Sequence, residues 1–134
     1  KGIDIRGPVG TPIYATADAT VGRAQWVSGY GKFIELEHGN AIQTRYGHMS
    51  ALNVYPGQRI RQGDLIGFMG STGRSTGSHL HYEVRIGGDA VNPNSFLPVA
   101  VVKPAVINMS NQLPVATVAA TKSLGGPTDM VVRP

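Results

Sequence analysis

Apolar and polar positions alternate along most of the first hundred residues, in short runs of Val, Ile, Thr and aromatic side chains. A period of two puts successive side chains on opposite faces of an extended chain, which predicts half-buried β-strands. The runs predict strands over residues 12–16, 20–28, 32–37, 41–48, 63–70 and 79–86, divided by Gly-Pro, His-Gly-Asn, Pro-Gly and Gly-Gly turn signals. Glu37-His38-Gly39-Asn40 reads as a hairpin connection in which Gly39 or Asn40 supplies a positive φ. No segment carries a persuasive 3.6-residue apolar period, so the expected fold is all-β. Residues 1–99 form one β unit in this reading. Beyond them the alternation lapses, and residues 100–134, with four prolines and few charges, read as an extended tail or linker.

Composition agrees with strands and tight turns: Gly contributes 18 and Pro 9 of the 134 residues. Leu, Ile, Val and Phe make up about a quarter of the chain, above the roughly 20% that marks intrinsic disorder, so a core can be buried. The absence of cysteine excludes a disulfide scaffold, a Cys-ligated zinc site and a Cys nucleophile. No apolar run approaches the ~18 residues of a membrane span. The net charge of +4 comes from singly scattered basic residues such as Arg23, Arg45, Arg59 and Arg74. Without a basic run or an aromatic-basic ladder, this is read as a solvated surface, and nucleic acid is not expected as a partner. The chain starts with Lys and carries no signal peptide, so it is expected to begin inside a longer gene product.

The chemistry is concentrated in the histidines. In the run His79-Leu80-His81-Tyr82-Glu83-Val84-Arg85-Ile86, strict alternation puts Leu80, Tyr82, Val84 and Ile86 on one face and His79, His81, Glu83 and Arg85 on the other. Residues i and i+2 of a strand lie roughly 6.5–7 Å apart, so the two imidazoles can converge. They are either a surface pair or the start of a metal site, where one ring ligates and the other acts as a base. The glycine-rich segment 70–78 leads directly into this pair, as expected of a loop lining a cleft. By the same alternation, Tyr46 and His48 project together from the strand over 41–48. His38 reads as a turn residue. Asp4 stands between Ile3 and Ile5 and, if buried, needs an Arg, backbone donors or a metal as partner.

Taken together, Gly2-Ile3-Asp4-Ile5, Tyr46-Gly47-His48 and Gly77-Ser78-His79-Leu80-His81-Tyr82-Glu83-Val84 resemble the motifs of the lysostaphin-like (LytM-type) zinc metallopeptidases, which cut peptide bonds in bacterial peptidoglycan. The spacer over residues 56–67 is similar as well, and the resemblance extends to about Leu97. It implies an antiparallel β-sheet sandwich with a groove, Asp4 and His81 as zinc ligands, and His48 and His79 as catalytic histidines. The family's first ligand, a His four residues before the Asp, would fall immediately before Lys1. With Asp4 and His81 alone, weak zinc binding is expected of this stretch.

The resemblance further implies a periplasmic or extracellular endopeptidase of stem or cross-bridge peptides. The alternative is a degenerate module of the same type that binds or activates other cell-wall enzymes, such as an amidase. The segment 54–66 also resembles half of a biotinyl or lipoyl carrier motif. That reading fails because neither Lys1 nor Lys32, the only lysines of the β unit, has a hairpin-tip setting.

Overall fold

The computed structural model describes residues 2–93. They form nine strands: β1 (Ile3–Arg6), β2 (Pro12–Tyr14), β3 (Ala19–Val27), β4 (Gly31–Gly39), β5 (Ile42–Leu52), β6 (Arg59–Ile60), β7 (Leu65–Met69), β8 (His79–Ile86) and β9 (Asp89–Val91). Every pairing is antiparallel. The main path runs β1-β8-β5-β4-β3-β6, with β7 joining β5 to β2 and β9 on β8. No α-helix occurs among the described residues, as the missing 3.6-residue period predicts. The expected tail over 100–134 lies outside the described residues. Six predicted strands match β2, β3, β4, β5, β7 and β8. The short strands β1, β6 and β9 have too few residues for their alternation to stand out.

One face of the sheet is apolar. Ile5, Val21, Ile34, Leu36, Tyr46, Leu80, Tyr82 and Val84 turn toward Ile13, Ile60, Ile66 and Met69 from β2, β6 and β7, and all are buried. Each such aliphatic side chain removed from water contributes about 1.5–3 kcal/mol before entropy is counted. Ile86, placed on this face by alternation, is exposed at the strand's end. The opposite face is polar and internally paired. Buried Glu35 accepts from Arg23 at 3.1 Å and lies 3.0 Å from the Arg45 guanidinium, with Phe33 packed beneath both arginines. The β4–β5 hairpin turns through Asn40 (φ 54°) and Ala41 (φ 62°), with Gly39 (φ 93°) preceding them. Positive φ at both central residues matches the twist of the two strands. Gly39 and Asn40 do take positive φ as expected, but Glu37 and His38 still belong to β4, so the connection falls later than the expected 37–40.

β5 changes partner along its length. Ile42–Gly47 pair with β8, whereas Met49–Leu52 pair with β7. Between them, the pairings Ile34↔Tyr46 and Lys32↔Met49 leave two residues of β5 facing one of β4. This is a β-bulge, and its second residue, His48, has a left-handed φ of 62°. The bulge corrects an expectation from the sequence: Tyr46 and His48 do not share a face. Tyr46 enters the core, while the extra residue turns His48 to the polar side and returns Met49 to the core. A bulge breaks the period of two, so alternation alone cannot predict it.

Under the apolar face a line of hydroxyls ends on His38. Tyr82 donates to Thr16 Oγ1 at 3.2 Å, and Thr16, Tyr46 and Thr44 follow at 3.3 and 2.8 Å. Thr44 Oγ1 then meets His38 Nε2 at 2.7 Å, while His38 Nδ1 donates to the Asp18 carbonyl at 2.8 Å. The carbonyl only accepts, so Nδ1 carries the proton and Nε2 receives the hydroxyl. Burial pushes the His38 pKa below its ordinary 6.5. His38, read from the sequence as a turn residue, instead lies within β4 and ends a buried network. A depressed folded-state pKa means that the unfolded chain binds the proton first. Stability should therefore be intact above pH 6.5 and fall as the pH drops through the folded pKa. Urea titrations between pH 8 and 5 should show this loss, and His38→Gln should flatten it; equal slopes for the two proteins would refute the assignment.

Candidate active site

The polar ends of β1, β5 and β8 meet where β5 changes partner. β1 pairs with β8 so that Asp4 lies opposite His81, and Gly47 of β5 faces His81 from the other side. Asp4 Oδ1 stands 2.9 Å from His81 Nδ1 and 3.7 Å from His79 Nε2. The rings of His48 and His79 are 4.7 Å apart, centroid to centroid, and those of His48 and His81 6.0 Å. The four residues singled out from the sequence, from three strands and 77 positions apart at the extremes, thus surround one small volume.

Each imidazole is oriented by its other nitrogen. His48 Nδ1 donates to the Thr72 carbonyl at 2.7 Å, and His79 Nδ1 to the Gly77 carbonyl at 2.8 Å. Carbonyls accept only, so both rings present an unprotonated Nε2 when neutral. Burial pushes the His48 pKa down; the neighbouring His79 and His81 push the same way, while Thr72 and Asp4 oppose it. His81 is held differently. Its Nε2 is 2.7 Å from Glu83 Oε2, a contact that raises its pKa more than burial lowers it, with Asp4 adding to the rise. Burial pushes Glu83 up, but hydrogen bonds from His81, Arg85 and Tyr30 outweigh it and hold the carboxyl at about 2.

Two loops fix this arrangement. The β3–β4 turn and the segment 70–78 touch through Gly31 and Gly73, so closely that a Cβ on either would come within 2.4 Å of backbone atoms of the other segment. Both have left-handed φ (75° and 74°), which glycine alone adopts without strain. Thr72 is clamped beside them: its hydroxyl donates to Met49 O at 2.7 Å and accepts from Lys32 N at 3.0 Å. The Thr72 carbonyl is thereby aimed at His48. Tyr30 O accepts the His48 N–H at 2.6 Å, which holds the bulge. Glu83 shares the histidine face by simple alternation, yet the sequence alone gave it no role. Tyr30 and Thr72 lay in predicted loops and carried no signal.

The donor set suits a divalent zinc ion. A carboxylate oxygen and an imidazole nitrogen, both donor types that zinc takes, lie 2.9 Å apart at hydrogen-bond distance, and the second imidazole nitrogen is occupied by Glu83. Among the described residues no group of three or more His, Cys, Asp or Glu side chains is arranged to hold a metal ion.

An antiparallel β fold that gathers a carboxylate and three histidines at one place is the framework of a metallopeptidase. Residues 1–93 match peptidase family M23, and the chain belongs to that family. It is 49% identical over 94 residues to the DD-carboxypeptidase/endopeptidase Mpg of Neisseria meningitidis, covering 70% of this chain and 22% of that protein. It is 42% identical to the peptidoglycan DD-endopeptidase ShyA of Vibrio cholerae, covering 69% of this chain and 21% of that one. The chain thus spans about a fifth of the length of these curated relatives. Among solved structures, the catalytic domain of lysostaphin from Staphylococcus simulans superimposes with a TM-score of 0.68 at 33% identity, over 70% of this chain and 75% of that one. A zinc-containing peptidase from Vibrio cholerae gives 0.65 at 37% identity, over 67% and 28%. The lysostaphin-like fold expected from the motifs is therefore the fold found.

Proposed function

We propose that this chain is the catalytic domain of a zinc-dependent endopeptidase that hydrolyses stem or cross-bridge peptides of bacterial peptidoglycan in the cell envelope. The observation that carries this reading is the convergence of Asp4, His48, His79 and His81 where β5 changes partner. The zinc-containing neighbour supports the choice of metal, and the peptidoglycan DD-endopeptidase relative supports the substrate class and the location.

Asp4 and His81 would hold the ion. When bound, zinc lowers the pKa of its water toward 7 and polarises the scissile carbonyl. His48 acts as the base. Its Nδ1–H is committed to Thr72, its Nε2 is free, and burial keeps the ring neutral at neutral pH, so Nε2 can take a proton from the attacking water. His79 supplies the second imidazole, for the developing oxyanion and the leaving amine. Asp4 Oδ1 faces His79 Nε2 as well as His81, and so favours positive charge on the ring of His79 as the reaction proceeds.

The test uses the full-length protein and purified peptidoglycan. New amino termini should appear in the released peptides, disappear after chelation and return with added Zn²⁺. Cleavage that survives chelation overturns the zinc assignment. A folded protein that neither cleaves nor binds Zn²⁺ supports the degenerate binding module instead.

A further inference from the structure

Glu83 lies two residues beyond His81 on the same strand face, and its side chain is only 6% exposed, against 62% for Asp4. It receives three hydrogen bonds. His81 Nε2 and the Tyr30 hydroxyl converge on Oε2 at 2.7 and 2.9 Å, while Arg85 Nε donates to Oε1 at 2.9 Å. An ionised carboxylate only accepts, so Tyr30 and Arg85 donate to it, and His81 Nε2 donates whenever it carries the ring proton. Gly47 makes room for this arrangement: a Cβ there would lie 3.0 Å from the Tyr30 ring and 3.6 Å from His81 Cβ.

His81 is thereby placed between two carboxylates, with Asp4 Oδ1 at 2.9 Å from Nδ1. When the neutral ring carries one proton, the two acceptors compete for it. Glu83 is the buried one, has the shorter contact and is fixed by two other donors, whereas Asp4 is solvated. We infer that Glu83, braced by Tyr30 and Arg85, is a positioning residue that keeps the proton of His81 on Nε2 and turns the Nδ1 lone pair toward Asp4, where a metal would sit. The inference rests on the metallopeptidase reading for its purpose, though not for its geometry. Tyr30 has a second part in it. Its carbonyl holds the backbone of His48 while its hydroxyl holds Glu83, so one turn residue braces both sides of the site.

Glu83→Gln separates this role from simple packing. A Gln side chain has one oxygen and one NH₂ where the carboxylate has two acceptors. The Arg85 guanidinium claims the oxygen, so the NH₂ faces His81, whose Nε2 must then accept. The proton is expected to move to Nδ1, the nitrogen that a metal needs unprotonated. The experiment is long-range ¹H–¹⁵N correlation on the imidazoles of the metal-free full-length protein, at alkaline pH where the ring carries a single proton, alongside Zn²⁺ affinity by competition with a chromogenic chelator.

Wild-type His81 should be mainly the Nε2–H tautomer, and Glu83→Gln mainly Nδ1–H. Zn²⁺ affinity should fall about 10–100-fold, the usual cost of losing a hydrogen-bonding partner behind a metal ligand. An unchanged tautomer and unchanged affinity in a folded Glu83→Gln protein would overturn the positioning role and leave the metallopeptidase reading standing. If the tautomer shifts but the wild type binds no Zn²⁺, the metallopeptidase reading fails, and the stated purpose of Glu83 fails with it. Should Glu83→Gln not fold, the wild-type spectrum decides alone: a main Nδ1–H form refutes the inference.

Discussion

Replacing His48 by Ala should lower peptidoglycan cleavage by about 10²–10⁴-fold, the usual contribution of a positioned base, and leave Zn²⁺ affinity unchanged. Replacing His81 by Ala should abolish both. The contrast follows from the two environments. The hydrogen bonds of His48 run not to Asp4 or Glu83 but to the Thr72 carbonyl and, through its backbone, to Tyr30. His81 stands at hydrogen-bond distance from both carboxylates. Removing His48 takes away a proton acceptor, whereas removing His81 takes away a donor atom and leaves Glu83 with a missing partner. Turnover of a defined cross-linked muropeptide, measured beside Zn²⁺ competition for both variants, checks the distinction. A His48→Ala protein that lost its metal, or retained near wild-type turnover, would remove His48 from the role of base.

Gly73→Ala should be strongly damaging for so small a substitution. The added Cβ would lie 2.4 Å from Gly31 N and 2.6 Å from Gly31 Cα. These are backbone atoms and cannot swing aside as a side chain could. A left-handed alanine costs about 1–2 kcal/mol, and overfilling a tight contact typically adds about 1–3 kcal/mol. A loss of about 2–5 kcal/mol in urea unfolding is expected if the two segments stay together. If they part instead, Thr72 leaves its clamp and the His48 ring loses its Nδ1 acceptor. Turnover should then fall further than the loss of folded protein explains. Denaturation and kinetics on the same preparation separate the two outcomes, and a variant as stable and active as wild type would show that the Gly31–Gly73 contact is not needed.

How far the sequence reaches can be seen by comparing β8 with β5. In β8 the period of two is unbroken from His79 to Val84, so the sorting of Leu80, Tyr82 and Val84 into the core, and of His79, His81 and Glu83 onto the other face, follows from pattern alone. In β5 the same reasoning works as far as Tyr46 and then fails at one residue, because the bulge at His48 breaks the alternation. The motif resemblance grouped His48 with His79 and His81, and the structure brings the three rings together where periodicity had put His48 on the core side. Resemblance to a family reports chemistry that backbone pattern cannot, and pattern reports packing that a motif does not. Neither could find Tyr30 or Thr72. Tyr30 meets Glu83 53 positions away, and Thr72 acts on His48 through a carbonyl, which every residue possesses.

The left-handed backbone at position 48 sets reactivity against comfort. Asparagine enters that region at least as readily as histidine, and glycine enters it freely, but neither has an imidazole. In the proposed role of base, the imidazole is what offsets the less relaxed backbone there. In a relative that does not cut, this position has a thermodynamic incentive to drift, ahead of the rings on β8, whose extended backbone suits them as it stands.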